Sequence, residues 1–221
     1  MLNSLQRSDA AQPADPLVLR ALQRLGEQAA QAGRIVQRIR AFLTRREPQL
    51  EPGSLNAIVE GGVALLQREL ERRGVRLTLH LSPELPEVVA DAVLVEQVVI
   101  NLVRNASDAL AEPGTGSDAA APAERRIEVR TSRTADQRFV RIDVTDNGPG
   151  LQGRRIEALC APFYSTKVEG MGMGLAICRS ILEAHHGALD AHEAPGGGAC
   201  FSLTLPVAVT TVAVAAEAAA A

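Results

Sequence analysis

Apolar positions along this chain follow two periods. From 17 to 46, Leu22, Leu25, Ala29, Ala32, Val36, Ile39 and Leu43 recur in steps of three and four. That spacing predicts one long helix with a single apolar seam. At 1.5 Å per residue it would be about 45 Å long. A helix of that kind needs a partner helix or a second subunit to bury its stripe. The run Glu47-Pro48-Gln49-Leu50-Glu51-Pro52-Gly53 breaks the pattern and reads as a linker. Ser54 then predicts the cap of a helix that stops at Gly74, and Asp91 the cap of one reaching Leu110.

Between these helices the period changes to two. Val75, Leu77, Leu79 and Leu81 alternate with polar residues and predict a strand over 75–81. Residues 112–124, rich in Gly, Ala and Pro, read as a surface loop. Strands follow near 126–133 and 138–145, paired antiparallel. A glycine-rich stretch at 146–174 opens a helix over about 172–185, and strands near 188–193 and 199–205 close the domain. This order predicts an α/β two-layer sandwich with a mixed sheet over 54–206. The tail at 207–221, rich in Ala and Val, reads as disordered.

Composition narrows the class. The chain has 221 residues, of which 46% are hydrophobic and 22% charged, which predicts a soluble globular protein. A net charge of −3 with dispersed Lys and Arg argues against nucleic acid or a membrane as partner. The polar opening residues are not expected to form a signal peptide, and no apolar run in this sequence approaches the ~20 residues a membrane span requires. Cys160, Cys178 and Cys200 lie far apart without zinc spacing, so reduced thiols and a cytoplasmic location are expected.

Four stretches carry candidate chemistry. Asn101, Asn105 and Asp108 share one face of the helix capped by Asp91. Such a polar stripe suits magnesium, a hard cation that takes oxygen ligands, although a solvated helix face would read the same way. Asp146, followed by Gly148 and Gly150, emerges at the end of a strand. A carboxylate there can accept from the exocyclic amine of adenine, which guanine lacks, and the glycines let backbone approach the ring. Taken singly this is also an ordinary turn. Pro162-Phe163-Tyr164-Ser165-Thr166-Lys167 offers hydroxyls and an ammonium to phosphate oxygens, or simply a surface loop with a buried Phe. Gly170-Met171-Gly172-Met173-Gly174-Leu175 runs into a helix and presents free N–H groups and the positive end of its dipole. No Gly-Lys-Ser/Thr follows, so this is not a Walker A loop.

In order and spacing, the four stretches together resemble the ATP-binding domain of bacterial sensor histidine kinases. That domain has the Bergerat fold, shared with gyrase-type and mismatch-repair ATPases. Glu96 to Ala106 resembles the family's N box, Asp146 to Gly150 its G1 box, Pro162 to Lys167 its F box and Gly170 to Leu175 its G2 box. The resemblance implies that Asn105 holds Mg2+ and that Asn101 supports the phosphates or the metal's water, with Asp108 beside them. It implies that Asp146 reads adenine between Gly148 and Gly150. Ser165, Thr166, Lys167, Gly170, Gly172, Met173, Gly174 and Leu175 are then the phosphate side. Asn101 and Lys167 are the expected catalytic residues, and ATP and Mg2+ the expected cofactors. Two residues separate Lys167 from Gly170, a short lid most similar to PAS-linked sensor kinases of the nitrogen-fixation type.

Residues 17–46 resemble the second helix of the family's dimerisation hairpin, and residues 1–10 the tail of its first. The family's H box is not matched. His80 and His192 fall in predicted strands, and His185 and His186 end the predicted G2 helix, the latter where the family's pattern has glycine. The resemblance therefore implies a phosphotransferase acting on a histidine of a hairpin outside this chain, with a response regulator downstream and a homodimeric parent. A nucleotide-binding regulatory module that heterodimerises with another kinase is the alternative. An ATPase or an anti-sigma-type serine kinase comes third. In the hydrolytic members of the fold a water-activating glutamate stands where this chain has Asn101, and phosphoryl transfer rests on positioning and charge neutralisation.

Overall fold

The computed structural model describes residues 48–111, 124–162, 164 and 172–208. The chain divides into two compact units, Met1–Glu47 and Pro48–Ala221, and every described residue belongs to the second. The helix expected at 17–46 lies outside the described residues. So do most of the loop expected at 112–124, Phe163, the stretch 165–171, and the tail from 209.

Seven strands and four helices follow one another in the described part. They are β1 (Glu51–Gly53), α1 (Leu55–Arg72), β2 (Val75–His80), β3 (Val88–Ala90), α2 (Ala92–Ala111), β4 (Arg125–Arg133), β5 (Phe139–Asp146), α3 (Ile156–Leu159), α4 (Gly174–Ala184), β6 (Ala188–Glu193) and β7 (Ala199–Pro206). Five strands form one sheet in the order β2-β4-β5-β7-β6. The β2–β4 pair is parallel and the other pairs are antiparallel, so the sheet is mixed as expected.

The helix boundaries follow from capping. Ser54 Oγ accepts from Ala57 N at 3.4 Å and starts α1, while Gly74, at φ +63°, ends it. Asp91 Oδ1 accepts from Leu94 N at 3.2 Å at the start of α2. α2 lies between α1 and α4 and crosses β4 and β5. Its buried Val95, Val98, Val99, Leu102, Val103, Ala106 and Leu110 meet the inward side of the sheet. That side is built from Ile127 and Val129 of β4, Val140, Ile142 and Val144 of β5, and Leu203 and Leu205 of β7. The opposite side carries Arg126, Glu128 and Arg130 of β4 and Arg141 of β5, all exposed. The result is one helical layer over one sheet, the two-layer sandwich that the alternation predicts.

The described part departs from the sequence expectation at β1 and β3, at α3 and at residues 207–208. Glu51–Gly53, read as linker, is a strand: it pairs antiparallel with β3, Glu51 opposite Ala90 and Gly53 opposite Val88, in a separate two-stranded ribbon. Three residues containing Pro52 are too short to show a period, and proline is tolerated where a strand has a free edge. The four-residue α3 sits inside the stretch read as glycine-rich loop. Val207 and Ala208, read as the start of the tail, are bonded to the domain: Val207 N donates to Arg138 O at 3.0 Å and Ala208 N to Glu87 O at 2.8 Å. Among the described residues, no helix is long and apolar enough to cross a membrane.

Candidate nucleotide site

Strand β5 delivers the first site residue. Its buried side runs Val140, Ile142, Val144, Asp146, so the alternation that hides three aliphatic residues turns the fourth position, a carboxylate, toward the helices. Asp146 is only 4% exposed. Its Oδ1 accepts from Gly148 N at 2.8 Å and from Ala199 N at 3.3 Å. Burial pushes its carboxyl above the usual range; the two amide bonds oppose the rise and the charge of Glu193 adds to it. Gly148 and Gly150 follow. A Cβ on Gly148 would lie 2.9 Å from Asp146 Oδ1, and Gly150, at φ +75°, would drive a Cβ into Glu193 Oε2.

Helix α2 supplies the second group. Asn101 and Asn105 lie half-buried along its third and fourth turns. Asn101 Nδ2 donates to Cys178 Sγ of α4 at 3.0 Å. Gly174, the first residue of α4, packs so closely that a Cβ would stand 2.8 Å from Asn101 Nδ2 and 2.9 Å from Oδ1. The Asn101 carboxamide is thus held against the start of α4. Burial raises the Cys178 thiol to about 12, with the Asn101 bond opposing, so it stays protonated.

Asp108 stands apart from this group. Its Oδ1 meets Arg73 Nη1 at 2.6 Å, and the same nitrogen donates to Ser107 Oγ at 3.2 Å. Arg73 also pairs with Glu69, and Glu69 with Arg104. In this arrangement Asp108 joins α2 to the end of α1.

The phosphate side is described in part. Gly172 adopts φ +63°, and the buried Met173 precedes α4 without a side-chain cap. Among the described residues, no N-cap side chain claims the first N–H groups of α4, which is the arrangement that cradles anions. Leu175 packs against the core. Ser165, Thr166, Lys167 and Gly170 lie outside the described residues.

Three contributors were not read as part of the site in the sequence. Cys178 stands four residues after Gly174, on the same face of α4, which is the one local signal that could have found it. His185, 1% exposed, accepts from Asp91 N on Nε2 at 3.0 Å, so its Nδ1 donates to Ile181 O at 2.7 Å. Glu193 accepts from Leu151 N at 3.0 Å. Neither pairing has a local sequence signal.

The family model described as histidine kinase-, DNA gyrase B- and HSP90-like ATPase matches residues 90–209, from the end of β3 through β7. The chain belongs to this ATPase family. The C4-dicarboxylate transport sensor protein DctS of Rhodobacter capsulatus is 38% identical over 200 residues, which is 90% of this chain and 29% of that protein. The sensor protein FixL of Bradyrhizobium diazoefficiens is 38% identical over 199 residues, 90% of this chain and 37% of that protein. The chain thus spans about a third of the length of these relatives. Among solved structures, the nucleotide-free catalytic domain of histidine kinase ThkA superposes with a TM-score of 0.58 at 26% identity. That match covers 72% of this chain and 95% of the ThkA domain. The mixed sheet under one helical layer is the fold of a histidine kinase ATPase domain.

The donor set also fits the family's ligands. A buried carboxylate, a half-buried carboxamide pair and an uncapped helix start offer an acceptor for adenine, oxygens for a hard cation and N–H groups for phosphate. Among the described residues, no three of His, Cys, Asp and Glu cluster to hold a metal by themselves. A magnesium ion here would rest on one carboxamide, the nucleotide's phosphates and water, which is the usual habit of that ion.

Proposed function

We propose that this domain binds Mg-ATP and transfers the γ-phosphoryl group to a histidine on a helical hairpin, as the catalytic part of a two-component sensor kinase. One observation carries the reading. Asn101 is seated against Gly174, so the carboxamide of one helix lies directly against the phosphate-facing start of the other.

Asp146 accepts from the adenine amine, with Gly148 and Gly150 giving the ring room. Asn105 holds the metal, and Asn101 orients the phosphates from the α2 side. Gly172, Met173, Gly174 and Leu175 offer the phosphates the α4 start. By sequence, Ser165, Thr166, Lys167 and Gly170 complete that side, and Lys167 neutralises charge on the transferred group. Asp108, tied to Arg73, supports the frame beside them. Bound magnesium would neutralise phosphate charge. In the transfer, the bond from γ-phosphorus to the bridging oxygen breaks, a bond to an imidazole nitrogen forms, and ADP leaves. Asn101, a carboxamide where hydrolytic relatives keep a glutamate, has no basic oxygen to activate water, which supports transfer over hydrolysis. A response regulator would then take the phosphoryl group, and the parent protein would act as a dimer in the cytoplasm. All four motifs keep their polar residues, which counts against a module that has lost catalysis.

The test is transfer of labelled γ-phosphate from Mg-ATP to a purified H-box hairpin of a related kinase. Acid-labile label on the hairpin, lost in Asp146→Asn, is the expected result. Measurable ATP binding with no label would favour the regulatory module, or a kinase that acts only on the hairpin of its own parent protein.

A further inference from the structure

Glu193 ends β6, far in sequence from the adenine-side loop, yet it grips that loop. Its Oε2 accepts from Leu151 N at 3.0 Å, and its Oε1 lies 3.5 Å from Gly153 N. Gly150 sits beneath the carboxylate with φ +75°, where a Cβ would overlap Glu193 Oε2 and approach Gly198 O to 3.2 Å. Only a residue without a side chain allows this approach. On the other side of the loop, Asp146 Oδ1 holds Gly148 N. The two carboxylates are linked once more through the sheet: Glu193 pairs with Ala199, and Ala199 N donates to Asp146. One short loop is therefore held at 148 by Asp146 and at 151 and 153 by Glu193.

We infer that Glu193 is a positioning residue of the nucleotide site, which sets the shape of the 148–153 loop and thereby the edge the pocket offers to adenine. It acts through the loop and through Asp146 rather than by touching the nucleotide. The inference rests on the reading of Asp146 as the adenine acceptor. Glu193 also acts on Asp146 electrostatically, since like charge raises the Asp146 carboxyl. Among the described residues, the other groups paired or bonded to Asp146 carry no charge: Ile127 opposite it on β4, the Gly148 amide of its own loop, and the Ala199 amide of β7.

The experiment compares the wild-type chain with Glu193→Gln, Glu193→Ala and Gly150→Ala. Glu193 is exposed on its outer side, so its replacement leaves the core intact, and thermal melts check that each variant folds. Dissociation constants for ATP, ADP and GTP are measured by calorimetry from pH 4 to 8. Amide exchange is read at Leu151 and Gly153. ATP and ADP should weaken equally, by about three- to tenfold, as expected for one hydrogen bond lost from a loop. The preference for ATP over GTP should narrow, and exchange at Leu151 and Gly153 should quicken. Protonated Asp146 turns an acceptor into a donor, so ATP binding falls as pH drops through its raised pKa. Glu193→Gln removes a cause of that rise and should move the fall to lower pH, which a purely structural role would not do. Gly150→Ala should reproduce the affinity loss, and combined with Glu193→Ala should add little to it. Wild-type binding with unchanged constants and an unmoved acid limb in the Glu193 variants overturns the inference alone. A loss seen for ATP and not ADP also overturns it, by placing the effect on the phosphate side. A wild-type chain that binds no adenine nucleotide overturns the Asp146 reading and this inference with it.

Discussion

Asn101 and Cys178 join α2 to α4 through one bond, Nδ2–H to Sγ at 3.0 Å. The carboxamide cannot both make this bond and swing freely, so the thiol fixes which way Asn101 faces. Cys178→Ala should lower stability by roughly 1–2 kcal/mol through the void left in the core, and should weaken phosphoryl transfer as Asn101 loses its anchor. Cys178→Ser keeps an acceptor and should recover part of the transfer rate. Urea melts and single-turnover transfer separate the two effects.

All three cysteines are free and buried, and burial raises each thiol, Cys178 to about 12. The thiolate is the reactive form, so a thiol reagent at pH 8 should label the native protein slowly and the denatured protein quickly. Fast native labelling of Cys178, read by mass spectrometry, would contradict the packing at Asn101.

Gly174→Ala isolates the close approach at the start of α4. Alanine is the better helix former, so local propensity favours the variant. Its Cβ would nevertheless stand 2.8 Å from Asn101 Nδ2. The expected outcome is a folded protein with kcat/KM for phosphoryl transfer reduced about 10- to 100-fold by misplaced phosphate contacts. Gly53→Ala, where a Cβ would meet nothing within 4 Å, serves as the control.

Asp146→Asn should separate stability from binding. The amide keeps an oxygen for Gly148 N but can set a donor against the adenine amine, so ATP affinity should fall roughly a hundredfold. Stability should change in the opposite direction. The wild-type carboxyl is raised in the fold, so folding takes up protons and ionisation costs stability above the raised pKa. The advantage of Asn should therefore be complete at neutral pH. It should vanish as pH falls below the ordinary carboxylate value. Thermal melts of both proteins from pH 3 to 7.5 check the sign.

His186 occupies φ +56° just beyond the end of α4, the left-handed position that usually takes glycine. His186→Gly should raise stability by about 1 kcal/mol in a urea titration, since the strain that a Cβ causes in the left-handed region is relieved there. A loss of stability would mean that the imidazole contributes contacts worth more than the strain.

The parts of this fold legible in the sequence are those whose signals are local. Ser54, Gly74 and Asp91 mark helix ends because capping involves residues two to four positions away. The alternation Val140, Ile142, Val144, Asp146 announces both a strand and the direction in which its carboxylate turns. Asn101 and Asn105 are readable as one polar stripe. What stays hidden is built from long-range pairs. Glu193 finds Leu151 across 42 residues, His185 finds Asp91 across 94, and Asp108 is claimed by Arg73 across 35. No local spacing encodes such partners. The ribbon of β1 and β3 is hidden for another reason: three residues do not establish a period.

The His185 imidazole gives the helical layer a mechanical property. It ties the last turn of α4 to the residue that starts α2, while Gly174 and Cys178 tie the opening turns of α4 to Asn101. α4 is pinned near both of its ends, to the start and to the middle of α2, so the two helices behave as a single lever. A load placed on the start of α4 is borne by α2 as well, and through Arg73 and Asp108 it passes on to the end of α1.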